Sequence, residues 1–198
     1  TQDENTFNQE VRLVSQGTDR WNWIAGAFYN KYEGKSTSSE YTPGIPDWYG
    51  LPPGTPDLEY LAKSDETFEE MALFGEVGFH FTEAWQATVG ARWFDYDDDL
   101  ELQTAFPFFA DPPGAVQPFG SRNKTGDDDV IFKFNTSYEF GDDLMSYLTV
   151  SEGYRRGGLN SGPLCTGDSD GQSFCLTESE VLIKPDTTTN YEVGLRSL

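Results

Sequence analysis

Residues 71–93 have the sequence MALFGEVGFHFTEAWQATVGARW, and this stretch decides the fold. From 71 to 81 every second residue is apolar or glycine, and the residues between them form a more polar set. After 83–84 the same alternation resumes and continues over 85–93. A period of two residues is that of a β-strand with two different faces. The stretch therefore predicts two long strands joined by a tight turn, which is a β-hairpin.

The same hairpin unit occurs twice more, and a single strand follows. The other predicted strands are residues 7–15 and 21 to about 34, 130–140 and 144 to about 157, and 187–198. Short turn sequences join the members of these two pairs, Gly17-Thr18-Asp19 and Gly141-Asp142-Asp143. Long connections separate the hairpins, at 36–65, 104–126 and 158–186. The pattern predicts seven long antiparallel strands with short connections at one end and long ones at the other.

Strand length distinguishes a membrane barrel from a soluble β-sandwich, whose strands also alternate. A strand that crosses a membrane at a tilt needs roughly 9–11 residues, whereas strands of soluble proteins average about 5–6. The predicted strands have the greater length. Aromatic residues also gather beside the short turns, as the girdle at a membrane interface requires. They are Trp21, Trp23, Phe81, Trp85, Tyr138 and Phe140.

Charged side chains within the strands fall mostly on the face opposite these aromatics. The residues predicted to face a hydrated lumen are Glu10, Arg12, Glu76, Arg92, Lys133, Glu139, Glu192 and Arg196. A charge that faces water costs little, whereas Arg or Lys at the midplane of a bilayer costs about 2–4 kcal/mol. The sequence therefore predicts an all-β, antiparallel transmembrane β-barrel segment with short periplasmic turns and long extracellular loops.

Composition narrows the classes of partner. The chain has 198 residues with 34 acidic and 13 basic side chains, a formal charge of -21. A surface of that sign repels phosphate backbones, which argues against nucleic acid as a partner. No run approaches the roughly 18 apolar residues that a transmembrane helix needs. Aromatic residues make up 15% of the chain and lie in periodic segments, which argues against disorder.

The two cysteines, Cys165 and Cys175, lie in a stretch rich in Gly, Ser and Asp. Their separation indicates a disulfide that closes a loop in an oxidising compartment, and two unpaired thiols are the alternative. The first residue is Thr1 and not Met, so a processed or truncated N-terminus is expected.

Four segments of the chain, taken in order, resemble the barrel of the TonB-dependent outer-membrane receptors. They are FNQEVRLVS at 7–15 with WNWIAGAFY at 21–29, FGE at 74–76 with TVGAR at 88–92, SEGYRRGGLN at 151–160, and KP at 184–185 with NYEVGLR at 190–196. Each motif alone is weakly specific. Their order and loop-sized spacings are much more specific, and the resemblance spans the whole chain.

The resemblance implies a barrel of about 22 strands that is closed from inside by an N-terminal plug. It also implies uptake of a scarce nutrient, such as an iron chelate, cobalamin or an oligosaccharide, with energy relayed through TonB, and it implies no cofactor. The sequence contains no plug-like segment, and seven strands cannot close an even-numbered barrel. Residues 1–198 are therefore expected to be a partial β-barrel domain of a larger receptor, with the plug domain and the remaining strands absent.

Aromatic residues in the long connections are the predicted ligand contacts, because such rings stack on sugars or chelates. They are Trp48, Tyr49, Tyr60, Phe106, Phe108 and Phe109, and packing within the loops is the alternative. The expected partners are the TonB system through the absent plug, lipid and lipopolysaccharide, and a small-molecule substrate.

Two acidic runs lie near the predicted extracellular ends of strands, Asp97-Asp98-Asp99 and Asp127-Asp128-Asp129. Carboxylates suit Ca²⁺ and other hard cations, including divalent ions that bridge lipopolysaccharide. Solvated strand ends are the alternative, since the spacing matches no EF-hand loop.

Two other function classes compete with active uptake. A passive porin or a structural and adhesive barrel is the second hypothesis, and a plug and a TonB box in the full-length gene would decide against it. An enzyme is the third hypothesis. The sequence argues against an enzyme, because His80 is the only histidine and no GxSxG, Walker or CxxC motif occurs.

Overall fold

In the computed structural model the chain forms one seven-stranded antiparallel sheet, and the structure describes residues 1–16, 20–116, 119–160, 165 and 175–197. In chain order the elements are β1 (Gln2–Val14), β2 (Trp21–Tyr41), α1 (Ile45–Trp48), β3 (Leu58–His80), β4 (Trp85–Ala105), a 3-10 turn (Pro107–Phe109), β5 (Phe119–Gly141), β6 (Leu144–Arg155), β7 (Gly158–Leu159), α2 (Glu178–Val181), β8 (Leu182–Ile183) and β9 (Asp186–Ser197). The strand order in the large sheet is β1-β2-β3-β4-β5-β6-β9, and β7 pairs with β8 in a separate two-stranded sheet. Among the described residues no helix is long and apolar enough to cross a membrane.

The predicted all-β antiparallel architecture is confirmed. Each long strand pairs with the next along the chain, apart from the small β7–β8 sheet between β6 and β9. Within the described residues β1 and β9 remain the two open edges, so this part of the chain is an unclosed wall. The hairpin of residues 71–93 lies at its centre, where β3 and β4 pair from His80↔Gln86 outward.

The strands are longer than the sequence pattern predicts. β2 continues to Tyr41, β3 begins at Leu58 and β4 continues to Ala105. The predicted loops 36–65 and 104–126 therefore shrink to 42–57 and 106–118, and the third connection contains β7, α2 and β8. In these extensions the hydrophobic alternation disappears. Cross-strand pairs such as Lys35↔Asp65, whose Nζ and Oδ2 are 2.8 Å apart, continue the ladder instead.

The short connections define one end of the sheet, called the turn end below; the opposite end is called the loop end. Between β3 and β4, the Thr82 hydroxyl accepts the backbone N–H of Trp85 at 3.0 Å. Between β5 and β6, Gly141 has a φ of 148°, a conformation that L side chains rarely adopt. The predicted turn at Gly17-Thr18-Asp19 lies outside the described residues.

Register divides the sheet into two faces. The apolar face carries Leu73, Val77 and Val89, which are 57%, 41% and 56% exposed. The covered face carries the buried cluster, which consists of Phe68, Ala72, Phe94 and Tyr96. The six predicted girdle aromatics are all exposed and lie at the turn end. Trp21 opposes Phe79 and Trp85 opposes Tyr138, so girdle side chains are neighbours across strands on the apolar face.

Candidate functional site on the covered face

The charged residues predicted to face a lumen all fall on the covered face. Cross-strand partners share a face, and Glu10 opposes Phe28, which opposes the buried Ala72. Every second residue along a strand lies on the same face, and cross-strand partners carry that face to the next strand. By this reasoning the covered face also carries Arg12, Glu76, Arg92, Lys133, Glu139, Glu192 and Arg196. That this face lines a water-filled lumen stays a prediction.

Ion pairs within the wall compensate several of these charges. Arg12 pairs with Glu10, and the Lys133 Nζ lies 3.1 Å from the Glu76 Oε1. Arg92 donates to the carboxylate of Glu70, which is 8% exposed. A groove of about 290 Å³ lies among them, lined by Glu10, Arg12, Phe74, Glu76, Arg92 and Lys133, among others. The acidic and basic side chains that line the groove balance each other, so the groove favours neither cations nor anions strongly.

An aromatic cluster lies further toward the loop end. The rings of Phe94 and Tyr154 stack with centroids 3.8 Å apart and an interplanar angle of 14°. Phe68 and Tyr96 add a tilted contact at 5.8 Å. Phe94 is fully buried, although a side chain on one face of a single sheet is ordinarily exposed to solvent. The burial arises because the end of β6 leaves β5 after Ser151 and lies across the covered face.

Arg156 extends this covering layer beyond β6. Its guanidinium carbon is 4.1 Å from the centre of the Phe68 ring, which is a cation–π contact. The same guanidinium lies 3.4 Å from Glu66 Oε1 and 3.7 Å from Asp98 Oδ2. The next backbone N–H, that of Gly157, donates to the Tyr96 hydroxyl at 3.3 Å. The start of the third long connection is thereby fixed to β3 and β4.

Asp98 is the most unusual ionisable group in this cluster. The residue is 5% exposed, and its Oδ1 has no hydrogen-bond partner among the described residues. Burial raises the pKa of Asp98 to about 6, with the nearby Glu66 charge acting in the same direction and Arg156 opposing it. A buried carboxylate oxygen without a donor is costly while the group is ionised.

The acidic runs do not come together as a cation site. They lie inside β4 and β5 and not at strand ends, because both strands extend beyond the predicted limits. Alternation sends Asp98 to the covered face, whereas Asp97 and Asp99 lie on the opposite face. The Arg122 guanidinium donates to Asp99 and lowers its pKa. Over the described part of the chain, no three His, Cys, Asp or Glu side chains are grouped so that they could hold a metal ion.

The loop aromatics fall into two groups. Trp48 and Tyr49 are 79% and 52% exposed and contact each other edge to face at the end of α1. Tyr60 and Phe106 contact each other with ring centroids 5.5 Å apart. Phe108 is 7% exposed, which favours packing within the loop, the alternative to a ligand contact. The side chain of Phe109 lies outside the described residues.

The third connection contains the predicted disulfide, which is confirmed between Cys165 and Cys175. The backbone N–H of Cys165 donates to the Leu176 carbonyl at 2.9 Å. His80 lies on the covered face at the turn end, where its Nε2 is 3.4 Å from the Asn22 amide. This contact makes His80 a hydrogen-bonded residue of the wall.

Sequence reasoning missed the aromatic and arginine cluster. Its members are Phe68, Phe94, Tyr96, Tyr154 and Arg156, with Glu66, Glu70 and Asp98 around them. The sequence does contain a signal for this cluster. Phe68 is an even number of residues from the charged Glu76 on the same strand, and Phe94 from Arg92, so each ring shares a face with a charged residue. Large apolar residues on the charged face of a strand indicate that something covers them there.

Comparisons with known proteins agree with this architecture. A family model described as TonB dependent receptor-like, beta-barrel, matches residues 1–198. Pesticin receptors of Yersinia pestis and Yersinia enterocolitica are 28% and 24% identical over 189 residues, which is 95% of this chain and 24% of each relative. The chain thus spans about a quarter of the length of the curated relatives it matches.

A solved structure gives the same fold. The crystal structure of the ferric yersiniabactin uptake receptor from Yersinia pestis matches with a TM-score of 0.73 at 20% sequence identity. The match covers 100% of this chain and 26% of that chain. A wall of seven strands with this topology therefore occurs within a larger uptake receptor.

Proposed function

Because the chain belongs to the TonB-dependent receptors, as part of their β-barrel, we propose that the protein carrying it takes up a scarce ferric chelate across the bacterial outer membrane. The plug and the other strands that close the barrel belong, in this proposal, to the rest of the protein. The sequence resemblance to this family is confirmed.

The apolar face carries the proposal. On β5 it runs from Val130 to Phe140, 11 positions counted along the strand. At about 3.4 Å per residue and a tilt of about 40° this corresponds to a band roughly 25 Å tall, the height of the lipid-facing band of outer-membrane barrels. Beyond the band, toward the loop end, neighbouring strands carry charged residues on the same face and at the same height. There the Lys31 Nζ lies 3.1 Å from the Glu69 Oε1. Glu69 in turn opposes Asp97.

This band sets the orientation. The turn end lies at one border of the band and the long connections lie beyond the other. In outer-membrane barrels the short turns are periplasmic and the long loops extracellular. The loop end of the sheet, with Trp48, Tyr49, Tyr60 and Phe106, therefore belongs outside the cell, where it contacts lipopolysaccharide and captures the ligand.

A ferric chelate is the ligand class we favour because of the relatives. One is named a pesticin receptor and the solved neighbour a ferric yersiniabactin uptake receptor. Exposed aromatic rings at the loop end provide surfaces on which a ring-bearing chelate can stack. The protein performs no chemistry on its ligand in this proposal, and transport takes its energy from the inner membrane through TonB.

Uptake by whole cells tests the proposal. The full-length gene is expressed in an iron-starved host without its own chelate receptors, and entry of ⁵⁵Fe-loaded chelates is measured with and without a functional TonB gene. We expect saturable uptake of at least one ferric chelate that is lost without TonB. Uptake that is linear in concentration and unaffected by loss of TonB would identify a passive porin, and no uptake of any chelate would leave a structural or adhesive barrel.

A further inference from the structure

One segment lies on the covered face without being part of the wall. It is called the strap and consists of residues 156–160, which include β7, together with the residues 181–183 that pair with them. The Asn160 N–H donates to the Val181 carbonyl at 2.8 Å, and the Asn160 side-chain amide donates to the Glu180 carbonyl at 2.7 Å. The strap is therefore a small folded unit with its own hydrogen bonds.

Contacts of Arg156 and Gly157 hold the strap to the wall. They are the Arg156 guanidinium against Phe68, Glu66 and Asp98, and the Gly157 N–H to the Tyr96 hydroxyl. β6 pairs with β9 as far as Arg155↔Asp186, and the strap begins beyond this last pair of the ladder. The strap can therefore leave the wall without breaking the strand ladder.

On the covered face, a group of buried residues lies under the end of β6 and the strap. Phe68, Phe94, Tyr96 and Asp98 are all 5% exposed or less. Their neighbours on the same face, one step toward the loop end, are only half-buried: Glu66 on β3 and Leu100 on β4. Covering by the end of β6 and the strap, and not packing within the sheet, is thus what removes Asp98 from water.

We propose that Arg156 is the latch of this strap, held closed by Phe68 and Glu66, and that release of Arg156 uncovers the aromatic cluster on the covered face. The inference goes beyond the uptake proposal, because it concerns the position of the strap and holds whichever ligand the receptor takes.

Proton binding at Asp98 supports the latch. Besides Arg156 from the strap, the groups around Asp98 are Glu66 from β3, Tyr96 and Asp99 from its own strand, and Asp127, which opposes Tyr96 from β5. Burial raises the pKa of Asp98 to about 6, and an opened strap returns the carboxylate to water, where its pKa is lower. The closed strap therefore binds the proton more tightly than the open one. Lower pH closes the latch, and the closed state weakens as pH rises through about 6.

Thiol labelling of the full-length receptor in detergent tests the latch. Leu159, in strand β7 of the strap, is 9% exposed, whereas Ser179 on α2 is exposed. The variants L159C and S179C are labelled with a maleimide under non-reducing conditions, which keep the disulfide intact. The ratio of their labelling rates, L159C over S179C, cancels the intrinsic effect of pH on thiol reactivity.

We expect the thiol of L159C to react more slowly than that of S179C, and Arg156→Gln to raise the rate ratio about tenfold by removing the cation–π contact and the ion pairs. The matched control is Arg155→Gln, since Arg155 pairs with Asp186 away from the cluster and its loss leaves the ratio unchanged. Without a further substitution the ratio rises by up to about tenfold between pH 5 and 7.5. Asp98→Asn removes this dependence on pH.

Three results would overturn the latch. One is equal labelling of both positions when the strap and the cluster are otherwise native, which means that the strap is not closed. Another is an unchanged ratio in Arg156→Gln. The third is a full pH dependence in Asp98→Asn. Circular dichroism of each variant identifies a loss of the sheet. A further variant, Tyr96→Phe, removes only the hydrogen bond from the Gly157 N–H. It should raise the ratio of labelling rates and keep the dependence of that ratio on pH.

Discussion

The turn-end half and the loop-end half of the same strands differ in almost every property except backbone pairing. In β4, the turn-end half places Val89 and Trp93 on the apolar face, whereas the loop-end half places Asp97 and Asp99 there. On the covered face the order is reversed, with charged Arg92 toward the turn end and buried Phe94 and Tyr96 toward the loop end. In the proposed placement, alternation in the sequence indicates two different media beside a strand, and the strand itself continues where those media become alike.

The largest expected effect separates the covered cluster from the apolar face. Phe94→Ala removes a fully buried ring that stacks on Tyr154, and we expect it to lower the free energy of unfolding by about 3–5 kcal/mol. Phe132→Ala is the control, since Phe132 is 59% exposed on the apolar face. Urea titration of the full-length receptor in lipid vesicles measures both. Equal losses for the two variants would show that the cluster is not specially packed.

A charge on the apolar face should separate the two halves of one strand. Val89→Arg places a guanidinium in the apolar band, and we expect a loss of about 2–4 kcal/mol in the free energy of unfolding in lipid. Gln103→Arg is the matched control on the same strand and face at the loop end, where a surface change alters stability by less than about 0.5 kcal/mol. Similar losses in the free energy of unfolding at both positions would show that the border of the apolar band lies in a different part of the strand.

The smallest effect concerns two adjacent carboxylates on opposite faces. The folded-state pKa of Asp98 is raised to about 6, so its ionised form destabilises the fold as pH rises from about 4 through 6. Asp98→Asn should therefore add about 1–2 kcal/mol above pH 7 and nothing near pH 4. Asp99→Asn should instead reduce stability at neutral pH, because Arg122 lowers the pKa of Asp99. Urea titrations at both pH values measure the difference, and the same sign for both variants would contradict the assigned faces.

The same contrast explains which features the sequence could predict. Residues that alternate over a long stretch, as in 71–93, could be predicted as strands because the proposed lipid on one face and polar surroundings on the other leave a period-two pattern. Residues 58–65 and 104–105 are predicted as loop but lie in β3 and β4, because no alternation marks the strand there. The cluster around Arg156 depends on a contact between the end of β6 and β3, which are far apart in sequence, and no local motif encodes it.

The site predictions divide in the same way. The eight charges that are predicted to face a lumen share one face because parity along a strand is fixed by backbone geometry. The acidic runs failed to form a cluster for the same reason, since consecutive residues in a strand point to opposite faces. The sequence identifies the loop aromatics but does not show which of them are buried and which are exposed. Burial of Phe108 and exposure of Trp48 depend on how the loops pack.

Accessibility of spin labels in the full-length receptor, reconstituted in a bilayer, tests the central claim most directly. Labels are placed on the apolar face at Val77, Val89 and Phe134 in the turn-end half and at Thr37, Lys63 and Gln103 in the loop-end half. Collisions with oxygen, which concentrates in lipid, are compared with collisions with a water-soluble nickel complex. We predict that oxygen dominates at the first three positions and the nickel complex at the other three. Access of the nickel complex to Val77, Val89 and Phe134 would contradict the placement of this wall in a membrane.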